Sequence, residues 1–223
     1  MLEDPKTGYY SPGQIENLYP FLEGVTPQWL LLGGPGSASE AQDAVKKWPR
    51  IRVIGVEPNP AAVSFQRRMG WPEGEPLVEA ALWENVATVP MTNLPDDLCG
   101  GDLLHASVYH PVGENDKVAG SFPRIPAVTW DKLDVIYGPF AEAILWMDIE
   151  GSELEALRGA EKLFQRGAIR IANLELTSRP QTRMWEVKRM YEVDKIMTRH
   201  GFRHKKDWND SDWCRDRIYL LEN

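Results

Sequence analysis

An α/β fold on a mostly parallel sheet, with helices on both faces, is predicted by three strand-to-helix junctions in this chain. An apolar run at Trp29-Leu30-Leu31-Leu32 breaks at Gly33-Gly34-Pro35-Gly36 and gives way to a helical pattern. A second run, Ile51-Arg52-Val53-Ile54-Gly55-Val56, finishes at Glu57 and is again followed by a helix. A third, Ile144-Leu145-Trp146-Met147, delivers Asp148, Glu150 and Glu153, with Gly151, onto the start of another helix. Strand–helix units in succession call for parallel strands joined by right-handed crossovers.

The elements follow in order. Residues 1 to about 28 form a lead-in with Pro12, Gly13, Pro20 and Pro27 among Tyr9, Tyr10, Tyr19 and Phe21, and a short helix is expected from Gln14 to Phe21, lying across the sheet edge or over the pocket. After the glycine turn, Ser37-Ala38-Ser39-Glu40 reads as a capping box, Ala41, Ala44, Val45 and Trp48 as an apolar stripe, and Pro49 as the stop. Asn59 is the N-cap and Pro60 the first residue of the next helix, which Gly70 closes. Leu77 to Leu82 reads as a third strand, and Val128 to Leu133 opens a short helix. Between them, Cys99 to Pro126 has little periodicity and reads as a long functional loop that binds the acceptor, carrying His105, Ser107, Tyr109 and His110.

Beyond Asp148, Ser152-Glu153-Leu154-Glu155 reads as a second capping box, and Leu154, Leu157, Ala160 and Phe164 share one face of a helix that Gly167 ends. Ile169 to Leu176 is a fifth strand. Met184, Val187, Tyr191 and Met197 mark a long helix ending at Gly201. Phe202-Arg203-His204-Lys205-Lys206 and Arg217-Ile218-Tyr219-Leu220-Leu221, around a polar turn, read as an antiparallel hairpin. No internal repeat or low-complexity tract interrupts the pattern.

Composition bounds the function. A length of 223 residues suits one α/β domain. With 25 Lys+Arg against 33 Asp+Glu the net charge is −8, which repels phosphate backbones and argues against a dedicated nucleic-acid binder. Cys99 and Cys214 are far apart and outside any CxxC spacing, so neither a zinc site nor a disulfide framework is suggested and a reducing compartment fits. The start, Met1-Leu2-Glu3-Asp4-Pro5-Lys6, lacks the basic and apolar regions of a secretory signal, and no stretch approaches a membrane span. A soluble cytoplasmic protein is expected.

The ends of the predicted strands carry the chemistry, because ligands of open α/β sheets bind outside the carboxyl ends of the strands. Glu153 and Glu155 fall in a first helical turn, where the macrodipole favours acids for structural reasons alone. Asp148 ends a buried strand before the helix begins, and a carboxylate there is desolvated unless it is paired or meets a ligand. At the other junction, glycines let backbone N–H groups approach a ligand closely. Glu57, about 20 residues further on, stands where an acid accepts hydrogen bonds from both hydroxyls of a ribose. Nicotinamide dinucleotides and S-adenosylmethionine share that ribose logic, and the first half of the chain does not separate them. Gly33-Gly34-Pro35-Gly36 lacks the G-x-G-x-x-G order that seats a pyrophosphate, and S-adenosylmethionine has no phosphate to seat. Trp71 and Trp83 suit either adenine stacking or ordinary packing, and Trp208 and Trp213 either rim the acceptor pocket or pin the hairpin.

Five ordered blocks carry a family resemblance. Val53-Ile54-Gly55-Val56-Glu57-Pro58-Asn59-Pro60, Glu79-Ala80-Ala81-Leu82, Val128-Thr129-Trp130-Asp131-Lys132-Leu133, the stretch from Leu145 to Glu161 and Ile171-Ala172-Asn173-Leu174-Glu175-Leu176 resemble FkbM-type methyltransferases, from about Trp29 to Gly201. The resemblance implies the class I methyltransferase, Rossmann-like fold: a mostly parallel seven-stranded sheet with a C-terminal antiparallel hairpin and helices on both faces. It implies S-adenosylmethionine as donor and a hydroxyl, on a sugar or polyketide-like natural product, as acceptor. Glu57 matches the family's ribose-binding acid and Ala81-Leu82 the segment flanking adenine. The donor site so implied comprises Gly33, Gly34, Gly36, Ser37, Glu57, Pro58, Asn59, Ala81, Leu82 and Asp148. The glycine turn departs from the family, which begins it with an acid that helps hold the methionine end and continues Gly-Ala-Asn, whereas this chain reads Leu32-Gly33-Gly34-Pro35-Gly36.

Methyl transfer is an in-line displacement, so catalysis needs the acceptor oxygen held on axis and a base for its proton. Asp148 is the first candidate, as base or as positioner of the acceptor, and Glu150 the second. His105 or His110 in the long loop is an alternative, although a lone loop histidine is more often a surface residue. A magnesium ion bridging Asp148 with Asn173 or Glu175 suits hard oxygen ligands, but nothing in the spacing demands a metal. Two other readings stay open at this level: a nicotinamide-dependent oxidoreductase, and a degenerate methyltransferase fold kept as a binding module.

Overall fold

The computed structural model describes residues 14–92, 107–108, 123–177, 183–208 and 214–222. A 3₁₀ helix, Gln14–Phe21, precedes β1 (Trp29–Gly33), α1 (Ser39–Lys47), β2 (Arg52–Glu57), α2 (Pro60–Arg68) and β3 (Leu77–Glu79). Next come four short strands, β4 (Ala81–Leu82), β5 (Ala87–Thr92), β6 (Ser107–Val108) and β7 (Arg124–Val128). The chain continues through α3 (Trp130–Tyr137), β8 (Ala143–Met147), α4 (Glu153–Arg158), α5 (Glu161–Gln165), β9 (Ile169–Thr177), α6 (Arg183–Arg199), β10 (Phe202–Trp208) and β11 (Cys214–Leu221).

Seven strands make one sheet in the order β10-β11-β9-β8-β1-β2-β3. Its left-to-right order from β3 to β9 is parallel throughout, and β11 runs antiparallel to both β9 and β10. The first three strands build outward from β1 in one direction and β8 and β9 in the other, so the topological switch point lies between β1 and β8. Period-two alternation divides the core. Leu30, Leu32, Val53, Ile144, Trp146 and Ile171 pack with Ile15, Leu18, Ala41 and Ala44 on one face. Leu31, Ile54, Leu145, Ala172 and Leu174 pack with Leu133, Leu157, Leu163 and Met197 on the other. The expected mostly parallel seven-stranded sheet with its C-terminal hairpin is borne out, whereas the lead-in helix, expected across the sheet edge or over the pocket, packs beside α1 on one face of the sheet, because Ile15 and Leu18 bury against Leu30, Leu32 and Ala41. No helix among the described residues is long and apolar enough to cross a membrane.

Four further expectations are corrected. The strand expected from Leu77 to Leu82 divides at Ala80: Glu79 pairs with Glu57, whereas Ala81 and Leu82 pair with Ala127 and Val128 in a second, four-stranded sheet, β4-β7-β5-β6. Within the supposed loop from Cys99 to Pro126, Ser107–Val108 is a strand against β5, and Arg124 to Pro126 belong to β7. Pro90 and Pro126 sit inside these strands and hide their signal, since proline ordinarily argues against a strand. The helix after Asp148 breaks in two, because a Cβ at Gly159 would stand 2.2 Å from the Trp83 carbonyl and the Asp131 carboxylate accepts from Lys162 N and Leu163 N at 3.1 and 3.2 Å, capping α5 from α3. Neither capping box forms. Ala38, not Ser37, is the N-cap of α1, with φ +66°, and Ser152, the N-cap of α4, makes no side-chain cap bond, while Glu155 is drawn to Arg189 of α6. Asn59 caps α2 as expected, accepting from Ala61 N at 3.0 Å.

Candidate active site

The switch point is held shut by backbone hydrogen bonds. Asp148 N donates to the Gly33 carbonyl at 3.0 Å, and Gly34 N donates to Val56 O at 3.0 Å. Gly34 has φ +64°, and a Cβ there would lie 1.8 Å from the Asp148 carbonyl oxygen, so only glycine lets the turn close against the end of β8. Gly33 is as confined, with Leu82 Cδ1 2.7 Å from where its Cβ would be. Gly36, φ +46°, faces open space. Ser37 donates to Ser39 Oγ at 3.2 Å, which in turn donates to Glu40 at 3.1 Å.

Glu57 ends β2 as a buried carboxylate. Its Oε1 accepts from Asn59 N at 2.9 Å, through the turn at half-buried Pro58, and its Oε2 meets Gln66 Nε2 at 3.5 Å. Burial outweighs those two hydrogen bonds and pushes the carboxyl up to about 7. Leu82 packs beside Gly33 while Ala81 belongs to the small core of the second sheet with Val89, Met91 and Ala127. Trp71 lies against Gly55 and donates to Glu75 O at 3.0 Å, so it is a packing residue.

Across the switch point, three acids stand on adjacent strands. Met147 is in register with Leu174, which brings Asp148 beside Glu175, and Glu175 is paired in register with Asp216 of β11. Asn173 Nδ2 donates to Asp216 at 3.0 Å, and Trp208 Nε1, its ring 5.9 Å from that of Trp146, donates to Asn173 Oδ1 at 2.8 Å. Asp148 and Glu175 share a hydrogen bond between their carboxyl groups. Burial first, then the charge of Glu175 and that shared bond, then Glu150 and Asp216, hold Asp148 well above the ordinary carboxylate range. Glu40, in the first turn of α1, is pushed up chiefly by burial and further by Asp43 and Asp216, so α1 adds an acid to this edge.

The turn after Asp148 is braced from below. Glu150 takes φ +54°, uncommon for a residue with a side chain, and Gly151 follows at +96°. Glu153, buried and pushed up to about 8 by desolvation, accepts from Ile149 N and Gly151 N at 3.2 Å each. Arg189 donates to the Gly151 carbonyl at 2.7 Å and pairs with Glu155. Glu153 and Glu155 therefore serve structure, through tertiary contacts rather than a capping box.

Sequence reading named Asp148, Glu150 and Glu57, and the structure gathers them at one edge. It missed Gln66, Asp216 and Glu40. Gln66 carries no strand-end signal, and Asp216 reaches the site only because β11 inserts between β9 and β10. His105, His110 and Trp213 lie outside the described residues. Among the described residues no three His, Cys, Asp or Glu side chains are grouped to hold a metal ion.

A mostly parallel seven-stranded sheet closed by an antiparallel hairpin defines the class I methyltransferase fold. The chain belongs to the FkbM methyltransferase family, whose model, described as the methyltransferase FkbM domain, matches residues 34–204. No curated protein matches the sequence. Among solved structures, a precorrin-6y C5,15-methyltransferase from Geobacter metallireducens is similar at 12% identity, covering 98% of this chain and 96% of that one, with a TM-score of 0.47. A SAM-dependent methyltransferase from Aquifex aeolicus is similar at 14% identity, over 96% and 100%, with a TM-score of 0.42. Magnesium protoporphyrin IX methyltransferase from Synechocystis, solved with bound SAH, is similar at 12% identity, over 93% and 82%, with a TM-score of 0.44.

Proposed function

We propose that this protein transfers a methyl group from S-adenosylmethionine to a hydroxyl of a small molecule such as a sugar or natural product, in the cytoplasm. The observation that carries the reading is the pairing, across one switch point, of an isolated buried acceptor with a carboxyl pair. Glu57 has only a backbone N–H on one oxygen and a 3.5 Å amide contact on the other, which leaves lone pairs for the two hydroxyls of a ribose. Open space at Gly36, with Ser37 beside it, leaves room for the donor to pass the turn. Donor contacts are assigned to Gly33, Gly34, Gly36, Ser37, Glu57, Pro58, Asn59, Ala81, Leu82 and Asp148.

When bound, the donor supplies an electrophilic methyl carbon on a sulfonium. The chain's own residues then hold the acceptor and take its proton. Asp148, hydrogen-bonded to Glu175, would receive the hydroxyl proton as the oxygen–carbon bond forms and the donor's carbon–sulfur bond breaks to leave S-adenosylhomocysteine, and the pair would spread the change in charge over two carboxyls. Glu150 orients the acceptor at the mouth of the same turn. Calorimetric titration with S-adenosylhomocysteine should show saturable binding, and transfer of labelled methyl should then appear on hydroxylated acceptors. A protein that takes up neither S-adenosylhomocysteine nor S-adenosylmethionine would sink the proposal.

A further inference from the structure

Gln66, on α2, is fully buried, and its amide reaches two other elements. Nε2 donates to the Gly36 carbonyl at 3.2 Å, in the turn after β1, and to Glu57 Oε2 at 3.5 Å, at the end of β2. Its Oε1 has no hydrogen-bond partner, and among the described residues no other buried side-chain oxygen is left so. The opposite orientation of the amide would set Oε1 against the oxygens of Gly36 and Glu57, so those two acceptors fix which end faces them. An unpaired buried acceptor is costly, and an apolar side chain of the same shape would avoid the cost. Departures from local stability of this kind concentrate where a site needs them.

We propose that Gln66 is the positioning residue for the donor's ribose: its amide ties Glu57 to the glycine turn and fixes the plane in which that carboxylate meets the ribose hydroxyls. Asn59 N holds one carboxylate oxygen and Gln66 the other, so both are anchored from the protein side. The carboxyl's surroundings consist of these two donors and apolar burial, with no charged neighbour contributing to its proton affinity. Direction is therefore supplied by Gln66 alone on the α2 side. The inference rests on the methyl-donor reading.

The test is a pair of affinities, for S-adenosylhomocysteine and for its 2′-deoxy analogue, measured by calorimetry on the wild type, Gln66→Leu, Gln66→Met, Glu57→Gln and the double variant Gln66→Leu with Glu57→Gln. The wild type should prefer the hydroxylated ligand by roughly 10- to 100-fold, as expected for hydrogen bonds to a charged group. Gln66→Leu and Gln66→Met should reduce that preference to within roughly threefold. The double variant should match Glu57→Gln, because Gln66 acts through Glu57. A ratio of affinities does not depend on the folded fraction, so a poorly folding variant still reports. An undiminished preference in both Gln66 variants overturns the inference, and so does a parallel loss of both affinities with a fallen melting temperature. A wild type that binds but ignores the 2′-hydroxyl overturns it as well. Failure of the wild type to bind either ligand removes the donor reading itself, an outcome distinct from all of these.

Discussion

The two acidic corners of this site, at the end of β2 and at the ends of β8 and β9, are built on opposite plans. Glu57 is alone: burial lifts its carboxyl to about 7, and only an N–H and an amide face it. Asp148 is in company, raised by burial and then by Glu175, Glu150 and Asp216 in turn. An isolated acid near neutrality is poised to accept hydrogen bonds from a neutral diol, whose hydroxyls favour its charged form. A row of facing acids cannot all be charged at once, so it keeps a shared proton and exchanges it at small cost. Under the proposed function, binding belongs to the first plan and proton transfer to the second.

The largest effect that can break this division is at Asp148. Asp148→Asn should lower turnover by a factor on the order of 10²–10⁴ while S-adenosylhomocysteine affinity changes far less. The melting temperature should not fall, since a repelling carboxyl is removed. Steady-state kinetics beside calorimetry decide the matter, and full turnover in the variant would take proton transfer away from this row. Next is the point where the corners touch. Gly34→Ala drives a Cβ to 1.8 Å from the Asp148 carbonyl at φ +64°, and should cost roughly 2–5 kcal/mol in a denaturant titration. Gly36→Ala has φ +46° but meets nothing within 4 Å, so about 1 kcal/mol is expected. Equal losses would mean that the close contact with β8 does not control the turn.

The same contrast explains what could be read in advance. Strands buried on both sides, such as Ala143–Met147, announce themselves as continuous apolar runs, and with them come the acids at their ends. Asn59 before Pro60 was equally legible, because cap and first-turn chemistry are local. What was hidden depends on distant partners. Ser152 makes no side-chain cap bond, while Glu155 is drawn to Arg189, in another helix. The helix beyond breaks at Gly159 because Trp83 and Asp131 approach it. β5 and β7 were masked by Pro90 and Pro126, which only a matched partner strand makes tolerable. Gln66 in a run reading Val63-Ser64-Phe65-Gln66-Arg67 resembles any helix residue until its two acceptors are in place.

A middle-sized effect tests the isolation of Glu57 through pH. Its carboxyl titrates near 4.5 when unfolded and about 7 when folded, so between those values the folded state binds more protons and stability falls as pH rises. The penalty is complete above about 7 and absent well below 4.5. Glu57→Gln should therefore be more stable than the wild type at pH 8, by up to about 3 kcal/mol, with the advantage gone at pH 4. Thermal melts at the two pH values measure the difference, to which Glu153, present in both proteins, contributes equally. A difference between variant and wild type that is the same at both pH values would show that Glu57 is not buried alone. In the same variant donor affinity should fall roughly 10- to 100-fold.

The smallest effect concerns Glu150, where strain and charge coincide. A side chain at φ +54° costs about 1 kcal/mol relative to glycine, and the braces from Glu153 and Arg189 hold the turn there regardless. Glu150→Gly removes both the strain and a charge that raises Asp148, so stability should stay level or gain up to about 1 kcal/mol. Losing that negative charge lowers the proton affinity of Asp148, so the acid limb of the pH–rate profile should move to lower pH. Glu150→Gln keeps the strain and loses only the charge: the same movement of the acid limb should appear with no gain in stability. An acid limb fixed in both variants would mean that Glu150 contributes its backbone conformation to the Asp148 turn and not its carboxylate.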